Sequence, residues 1–138
     1  MRTTLKMFLG LALMFVSYST NAQEAQKIPK PGFFVLHQNK VRLENLAKLN
    51  ALQDSIFVPI LNELVEEGKL IGWGQLIHAW GDEWNYNYYF TTENHRAFLD
   101  FWGEFFSRVN KRFPGWSDRF GPLITDHKDN MYSIRSMR

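Results

Sequence analysis

The chain has 138 residues, of which 16 are Lys or Arg and 14 are Asp or Glu, and it contains no cysteine. Two basic residues, Arg2 and Lys6, lie in the leader described below, so 14 basic residues remain to balance the 14 acidic ones. A neutral domain lacks the basic surface typical of nucleic-acid-binding proteins. The absence of cysteine excludes a disulfide framework, so the fold must be stabilised by packing.

The first residues have the layout of an export signal. Arg2 and Lys6 precede an apolar run from Met7 to Val16, and polar residues lead from there to the small Ala22. A run of this length is too short to span a bilayer, which takes roughly 20 apolar residues, but it fits the apolar core of a signal peptide. We expect cleavage after Ala22, followed by release to the periplasm or the exterior without stable membrane insertion. An uncleaved anchor helix is the alternative.

The domain organisation follows from this cleavage. Residues 1–22 form the expected signal peptide, residues 23–31 a flexible linker containing Pro29 and Pro31, and residues 32–138 a single domain. About 115 residues after cleavage suit one domain. With 12 Phe, 5 Trp and 5 Tyr in the chain, its core is expected to be rich in aromatic side chains.

The first half of the domain predicts a strand and then a helix. Residues 33–39 favour a strand with apolar side chains on both faces, as in a strand covered on both sides. From Val41 the apolar residues recur at three- and four-residue steps, which indicates an amphipathic helix. Pro59 lies within this helix and is expected either to kink it or to start a new first turn. Gly68 is the expected left-handed terminator.

Two aromatic strands follow, predicted over residues 70–80 and 84–91 and joined by a hairpin turn at Gly81-Asp82. In the second strand every other residue, from Trp84 to Phe90, places an aromatic ring on one face, while the opposite face is mixed. Thr91 or Thr92 is then expected to cap a second helix.

The second helix carries a regular apolar face between Phe98 and Val109, which predicts packing against the sheet. Pro114-Gly115 is expected to end it. Residues 116–129 give only a short helical turn from Ser117, and residues 130–135 are predicted as the last strand.

The order strand, helix, strand, strand, helix, strand predicts an α+β ferredoxin-like split βαβ sandwich, in which two helices cover one face of a four-stranded antiparallel sheet. Apolar residues on both faces of the strands would leave the second face exposed to water. Large exposed apolar patches are rare on monomers. We therefore expect a homodimer in which two sheets pack face to face.

The chain resembles the dimeric α/β-barrel superfamily over roughly residues 32–136. The resemblance is carried by the element order, by Glu66-Glu67-Gly68-Lys69 at the end of the first helix and by the Gly81-Asp82 hairpin. It implies sheet-to-sheet dimerisation. Members include monooxygenases of antibiotic biosynthesis, haem-degrading enzymes and stress-response proteins, so the fold alone transfers no function. The Asn, Trp and His of the haem-degrading branch would correspond here to Asn39, Trp73 or Trp80, and His78.

The four histidines are the candidate acid/base groups near neutral pH. His78 is the catalytic candidate, because it is expected beside the Trp84 strand at a cleft or dimer cavity. His37 is interpreted as a partly buried strand residue that can also line a ligand site. His95 is expected to be solvated in the first turn of the second helix, and His127 to lie in a surface loop that can close over a cavity.

The sequence carries no hydrolase or dinucleotide motif. No pair of histidines has the spacing of a metal site on one helix, so a three-ligand site would need distant segments; no metal or cofactor is predicted. The expected ligand is a small apolar or aromatic molecule in an aromatic-lined cavity. The predicted ligand-binding residues are Trp73, His78, Trp80, Tyr86, Tyr88 and His37.

Three functions remain open at this stage. The first is an exported, dimeric ligand-binding domain. The second is a cofactor-independent or haem-degrading type of monooxygenase, in which a histidine assists proton transfer in an aromatic pocket. The third is an envelope protein-interaction module that uses an exposed aromatic patch.

Overall fold

The computed structural model of the protein describes residues 30–78 and 83–136. The predicted signal peptide, most of the linker, Trp80 and the Gly81-Asp82 turn lie outside these ranges. The strands are β1 (Phe33–Val41), β2 (Gly72–Ile77), β3 (Tyr86–Thr92) and β4 (Ile124–Ser133). The helices are α1 (Leu46–Glu66), α2 (His95–Arg112) and the short α3 (Trp116–Phe120). Single 3-10 turns at Leu43–Asn45 and Gly121–Leu123 precede α1 and β4.

The four strands form one antiparallel sheet in the order β2-β3-β1-β4. This order, with α1 joining β1 to β2 and α2 following β3, is the ferredoxin-like arrangement, and it confirms the predicted fold class. The described part of the chain adds α3 as a third, five-residue helix between α2 and β4.

The core lies between the helices and one face of the sheet. Along the two central strands β1 and β3, every second side chain points at the helices, among them Phe33, Val35 and Phe90, which are at most 7% exposed. Phe98, Phe101 and Phe105 on α2 meet this face as their spacing predicts. Among the described residues no helix is both long and apolar enough to cross a membrane.

Helix α1 continues through Pro59, so the restart expected there is wrong. Gly68 adopts φ 71° directly after the helix, as predicted for its terminator. At α2 the predicted Thr cap is wrong: the Asn94 side chain accepts a hydrogen bond from Ala97 N at 2.9 Å. Thr92 is still part of β3, and its hydroxyl donates instead to the Asn94 carbonyl.

A charged cluster joins the C-terminal halves of α1 and α2. Arg108 donates to both carboxylate oxygens of Glu67 at 2.7 Å and to Glu104 at 2.8 Å, while Arg112 makes a two-point contact with Glu63. The bonds from Arg108, and secondly from Lys69, lower the pKa of Glu67 to about 2. Because the Glu67 and Glu104 side chains are 41% and 40% exposed, water and salt weaken the attraction.

The last strand begins at Ile124, earlier than the predicted residue 130, and includes His127, which is therefore not in a loop. Residues 124–129 were not predicted as a strand because most of them are polar. Strand β4 is an edge strand with exposed side chains along most of its length, and an edge strand needs no apolar alternation when little of it is buried.

The face of the sheet away from the helices carries apolar residues from each strand, as the sequence predicts, and charged residues share it. At one end the rings of Tyr89 and Tyr132 pack on Phe34 with centroids 5.8 and 6.0 Å apart. At the other end Lys40 and Lys128 lie on this same face. We call the Phe34, Leu36, Leu76, Tyr89 and Tyr132 side chains the open-face patch.

Candidate functional site

A cavity of about 390 Å³ lies between the helix-facing side of the sheet and the helices. This volume is within the usual range of small-molecule pockets. Six large aromatic side chains from α1, α2 and α3 enclose its helical side, namely Phe57, Trp102, Phe105, Phe106, Trp116 and Phe120. The rings of Phe57 and Phe120 stack with centroids 4.5 Å apart, so this end of the cavity is a continuous aromatic wall.

The sheet side of the cavity holds polar atoms that lack partners. The hydroxyls of Tyr86 and Tyr88 and the Oε1 of Gln53 are buried, and none makes an aligned hydrogen bond within the protein. All three residues line the cavity. Burial raises the pKa of both tyrosines, and the neighbouring hydroxyl raises that of Tyr88 further. Both hydroxyls therefore stay protonated and can act as donors to a bound molecule.

The rim of the cavity is polar and is built by the pairing of β1 with β4. Asn39 lies opposite His127 and His37 opposite Asp129. Asn39 Nδ2 donates to Tyr86 O at 3.1 Å, and Asn39 Oδ1 lies 3.1 Å from His127 Nδ1. His127 Nε2 lies 3.3 Å from Asp129 Oδ2, and His37 Nδ1 lies 2.8 Å from Asp129 Oδ1. We call His37, Asn39, His127 and Asp129 the rim cluster.

The electrostatics of the rim cluster centre on Asp129. Partial burial favours the protonated acid, but close contact with His37 and then with His127 outweighs it, so the pKa of Asp129 lies below its usual range. The carboxylate is therefore ionised at neutral pH. It places one negative charge 2.8 Å from His37 Nδ1 and 3.3 Å from His127 Nε2.

Three of the predicted ligand-binding residues, His37, Tyr86 and Tyr88, lie on the cavity wall. Trp73 does not line the cavity; its indole N–H donates to Asn62 Oδ1 at 3.1 Å on the outside of α1. Trp80 lies outside the described residues.

His78 lies away from the aromatic cavity, in a smaller depression that it shares with Leu43 and Leu46. Its side chain is exposed. The hypothesis of a catalytic His78 therefore has no support from the aromatic cavity, and the cavity histidines are His37 and His127.

Sequence reasoning did not identify Gln53, Trp102 and Asp129 as site residues. Trp102 was assigned to the core because it belongs to the apolar face of α2. Gln53 carried a usable signal, since it is a polar residue on the buried face of an amphipathic helix, where its exposure is 2%. Asp129 gave no such signal, because its role depends on which residue of β1 it pairs with.

No protein-family model matches the chain, and no curated protein matches it in sequence. Solved structures do match its fold. A dimeric ferredoxin-like protein from an uncultured marine organism aligns with a TM-score of 0.65 at 11% identity, over 80% of this chain and 94% of its own. A NIPSNAP domain protein from Burkholderia xenovorans aligns with a TM-score of 0.61 at 5% identity, over 77% of this chain and 97% of its own.

A third structure, a candidate antibiotic biosynthesis monooxygenase from Nitrosomonas europaea, aligns with a TM-score of 0.51 at 9% identity, over 75% of this chain and 99% of its own. These matches confirm the predicted ferredoxin-like fold. Identities this low carry no function to this chain.

Proposed function

We propose that the protein binds a small aromatic molecule carrying one or more polar oxygen atoms in the cavity between sheet and helices. The observation that carries the proposal is the combination of an aromatic wall with three buried polar atoms, on Gln53, Tyr86 and Tyr88, that make no aligned hydrogen bond; the two hydroxyls lie close enough to influence each other. Native proteins pair nearly all such groups, and each unpaired one costs about 1–3 kcal/mol. A ligand that accepts from the hydroxyls and donates to the amide oxygen would remove this cost.

The polarity of the cavity also changes from its inner wall to its rim. Its inner wall is aromatic and its rim carries His37, Asn39 and His127. A ligand with a ring at one end and a polar group at the other matches this gradient, because burying the ring is favourable while the polar end keeps hydrogen bonds. Aromatic acids, phenols and quinones are therefore the classes to screen.

A screen of the purified protein by tryptophan fluorescence and thermal shift tests the proposal, since Trp102 and Trp116 line the cavity. Gly121→Leu is the blocking variant: Gly121 lines the cavity, has an ordinary φ of −49°, and a Cβ there meets nothing within 4 Å. Gly103→Leu is the matched control, because its Cβ is equally unobstructed but lies on exposed α2 surface. We expect saturable binding that Gly121→Leu weakens at least tenfold and Gly103→Leu leaves unchanged. If both variants bind the ligand equally well, the proposal that the ligand binds in this cavity is wrong.

A second candidate function is oxygenation of the bound aromatic molecule. It is favoured by the position of His37 at the cavity rim, where an imidazole within reach of a bound molecule can assist proton transfer. One of the similar folds is a candidate monooxygenase. Oxygen uptake on adding a bound ligand would favour this activity, whereas binding without turnover would favour a carrier.

We also propose that the protein works as a homodimer joined through the open-face patch. Leu76 and Tyr132 are 41% and 49% exposed, although large apolar side chains are usually covered. A protein of similar fold is named as dimeric. Sedimentation of the purified protein tests this, and a monomer at micromolar concentration would contradict it. A monomer that also binds no ligand would favour the interaction module.

The remaining proposal is export. The basic residues, apolar run and Ala22 of the leader support it. N-terminal sequencing of the protein recovered from cells is expected to begin at Gln23. A chain that keeps its first residues and stays with the membrane fraction would instead indicate an anchor.

A further inference from the structure

We propose that His37, His127 and Asp129 form a binding site for one divalent transition-metal ion at the rim of the aromatic cavity. One donor atom from each residue can be chosen so that all three lie within 4.8 Å of one another. Asp129 lies 2.8 Å from His37 Nδ1 and 3.3 Å from His127 Nε2. Metal bonds of about 2.0–2.2 Å place tetrahedral ligands roughly 3.4 Å apart, so modest side-chain rotations would close the three donors on an ion.

The hydrogen bonds of Asn39 determine which nitrogen of His127 is available to bind a metal ion. Asn39 Nδ2 donates to the carbonyl of Tyr86, so the other amide atom, 3.1 Å from His127 Nδ1, must be the oxygen. This oxygen can only accept, so His127 Nδ1 carries the proton. In the neutral ring Nε2 then has a lone pair, and it faces an oxygen of the Asp129 carboxylate at 3.3 Å.

Two acceptors at this distance repel each other unless a positive charge lies between them. A second proton on His127 would supply it, and so would a metal ion bound to both atoms. The bond between the other ring nitrogen and an amide oxygen is the usual support for a metal-binding histidine, because it fixes the tautomer and the ring orientation. Asn39 gives His127 this support from a buried position.

His37 provides the independent observation that favours the ion. Its Nδ1 is buried and lies 2.8 Å from Asp129 Oδ1, yet it makes no aligned hydrogen bond. A nitrogen that simply donated to this carboxylate would point its N–H at the oxygen. Two ligands of one ion need no aligned N–H between them, because each directs a lone pair at the metal.

The frame that holds these groups is rigid. His37 pairs directly with Asp129, and Asn39 with His127, across two hydrogen-bonded strands. Residues on paired strands keep their spacing better than residues on loops. The donor set also selects the metal class: two imidazoles and one carboxylate suit Zn²⁺, Fe²⁺ or Co²⁺, whereas Mg²⁺ and Ca²⁺ prefer oxygen ligands alone.

Titration of tag-free protein with Zn²⁺ and Co²⁺ tests the site. We expect saturation at one ion per chain, a rise in melting temperature with Zn²⁺, and visible absorption bands of low-coordinate Co²⁺. Asp129→Asn and His127→Gln are each expected to weaken Zn²⁺ binding by more than about 100-fold, since loss of an outer partner alone costs about 10–100-fold. His78→Gln is the control, because this exposed histidine belongs to a different depression.

Melting curves in the presence of a chelator check that the variants fold, so that a loss of binding is assigned to the ligands. The proposal is overturned if the parent protein shows no saturable Zn²⁺ binding, or if it binds no more tightly than Asp129→Asn. That is the outcome expected if His127 is simply doubly protonated. The test is independent of the organic ligand: a cavity that binds aromatic acids without metal would reject this site and leave the proposed function intact.

Discussion

Replacing Tyr88 by Phe tests whether the cavity really contains unpaired hydroxyl groups. In most folded proteins a buried tyrosine hydroxyl is hydrogen-bonded, and its removal costs about 1 kcal/mol. Here the Tyr88 side chain is 6% exposed and its hydroxyl has no aligned partner. We therefore expect the opposite sign: without ligand, Tyr88→Phe raises the free energy of unfolding.

The size of the effect follows from the cost of an unpaired buried polar group, about 1–3 kcal/mol. Taking the low end, because a water molecule in a cavity of about 390 Å³ can partly compensate, we expect a gain of about 1 kcal/mol. In a domain of this size that corresponds to a melting temperature higher by about 4 °C. With the ligand bound the effect reverses, and affinity falls by about five- to tenfold.

Chemical denaturation of the variant with and without ligand provides the measurement. Tyr89→Phe is the matched control, because Tyr89 is the next residue of β3 and points to the opposite face of the sheet. A loss of 1 kcal/mol or more in Tyr88→Phe would refute the reasoning. In that case the nearby Tyr86 hydroxyl is the partner, each single Phe variant destabilises, and the double variant Tyr86→Phe/Tyr88→Phe recovers most of the loss in a double-mutant cycle.

The other predictions concern the dimer, the charged cluster and the helix cap. Tyr132→Asp, which puts a charge on the open-face patch, is expected to shift sedimentation from dimer to monomer, whereas Leu99→Asp, at an equally exposed site on α2, leaves the dimer intact. The pKa of Glu67 is depressed to about 2 from 4.5, so the stability that Glu67 contributes is present above pH 4.5 and is lost as the pH falls towards 2. The melting temperature of Glu67→Gln should therefore depend less on pH across that range. An unchanged dependence would contradict the role of Arg108. Asn94→Ala removes the acceptor for Ala97 N and is expected to lower the free energy of unfolding by about 1 kcal/mol, measured by urea denaturation.

The fold was predictable from the sequence because its central elements carry strong periodic patterns. The alternation of β3 and the three- and four-residue steps of α2 both depend on burial, and both elements pack in the core. The prediction was wrong about the start of β4, where burial is slight. An edge strand is held by backbone hydrogen bonds, and these leave little trace in the side chains, so residues 124–129 were not recognised as a strand.

The candidate site was predictable only in part, for a related reason. Tyr86 and Tyr88 could be assigned to one face of one strand, because alternation within a strand is a local property. The rim cluster depends on the pairing of β1 with β4, residues that are about 90 positions apart in sequence. Nothing local specifies which residue of β4 lies opposite His37, and a shift of one residue would turn every side chain of β4 to the other face.

This register connects the two functional proposals. With His37 opposite Asp129 and Asn39 opposite His127, the polar residues of an otherwise exposed edge strand are brought to the rim of the aromatic cavity. A one-residue slip would move both β4 side chains to the open face and leave His37 beside a lysine or an asparagine. Edge strands with little buried surface specify their register weakly, so the close contacts of Asp129 with both histidines help to fix the strand position. Removing that carboxylate should therefore loosen β4 as well as abolish metal binding. Hydrogen exchange of Asp129→Asn separates the two consequences. Exchange should become faster at the backbone bonds between β1 and β4 and stay unchanged at those between β1 and β3.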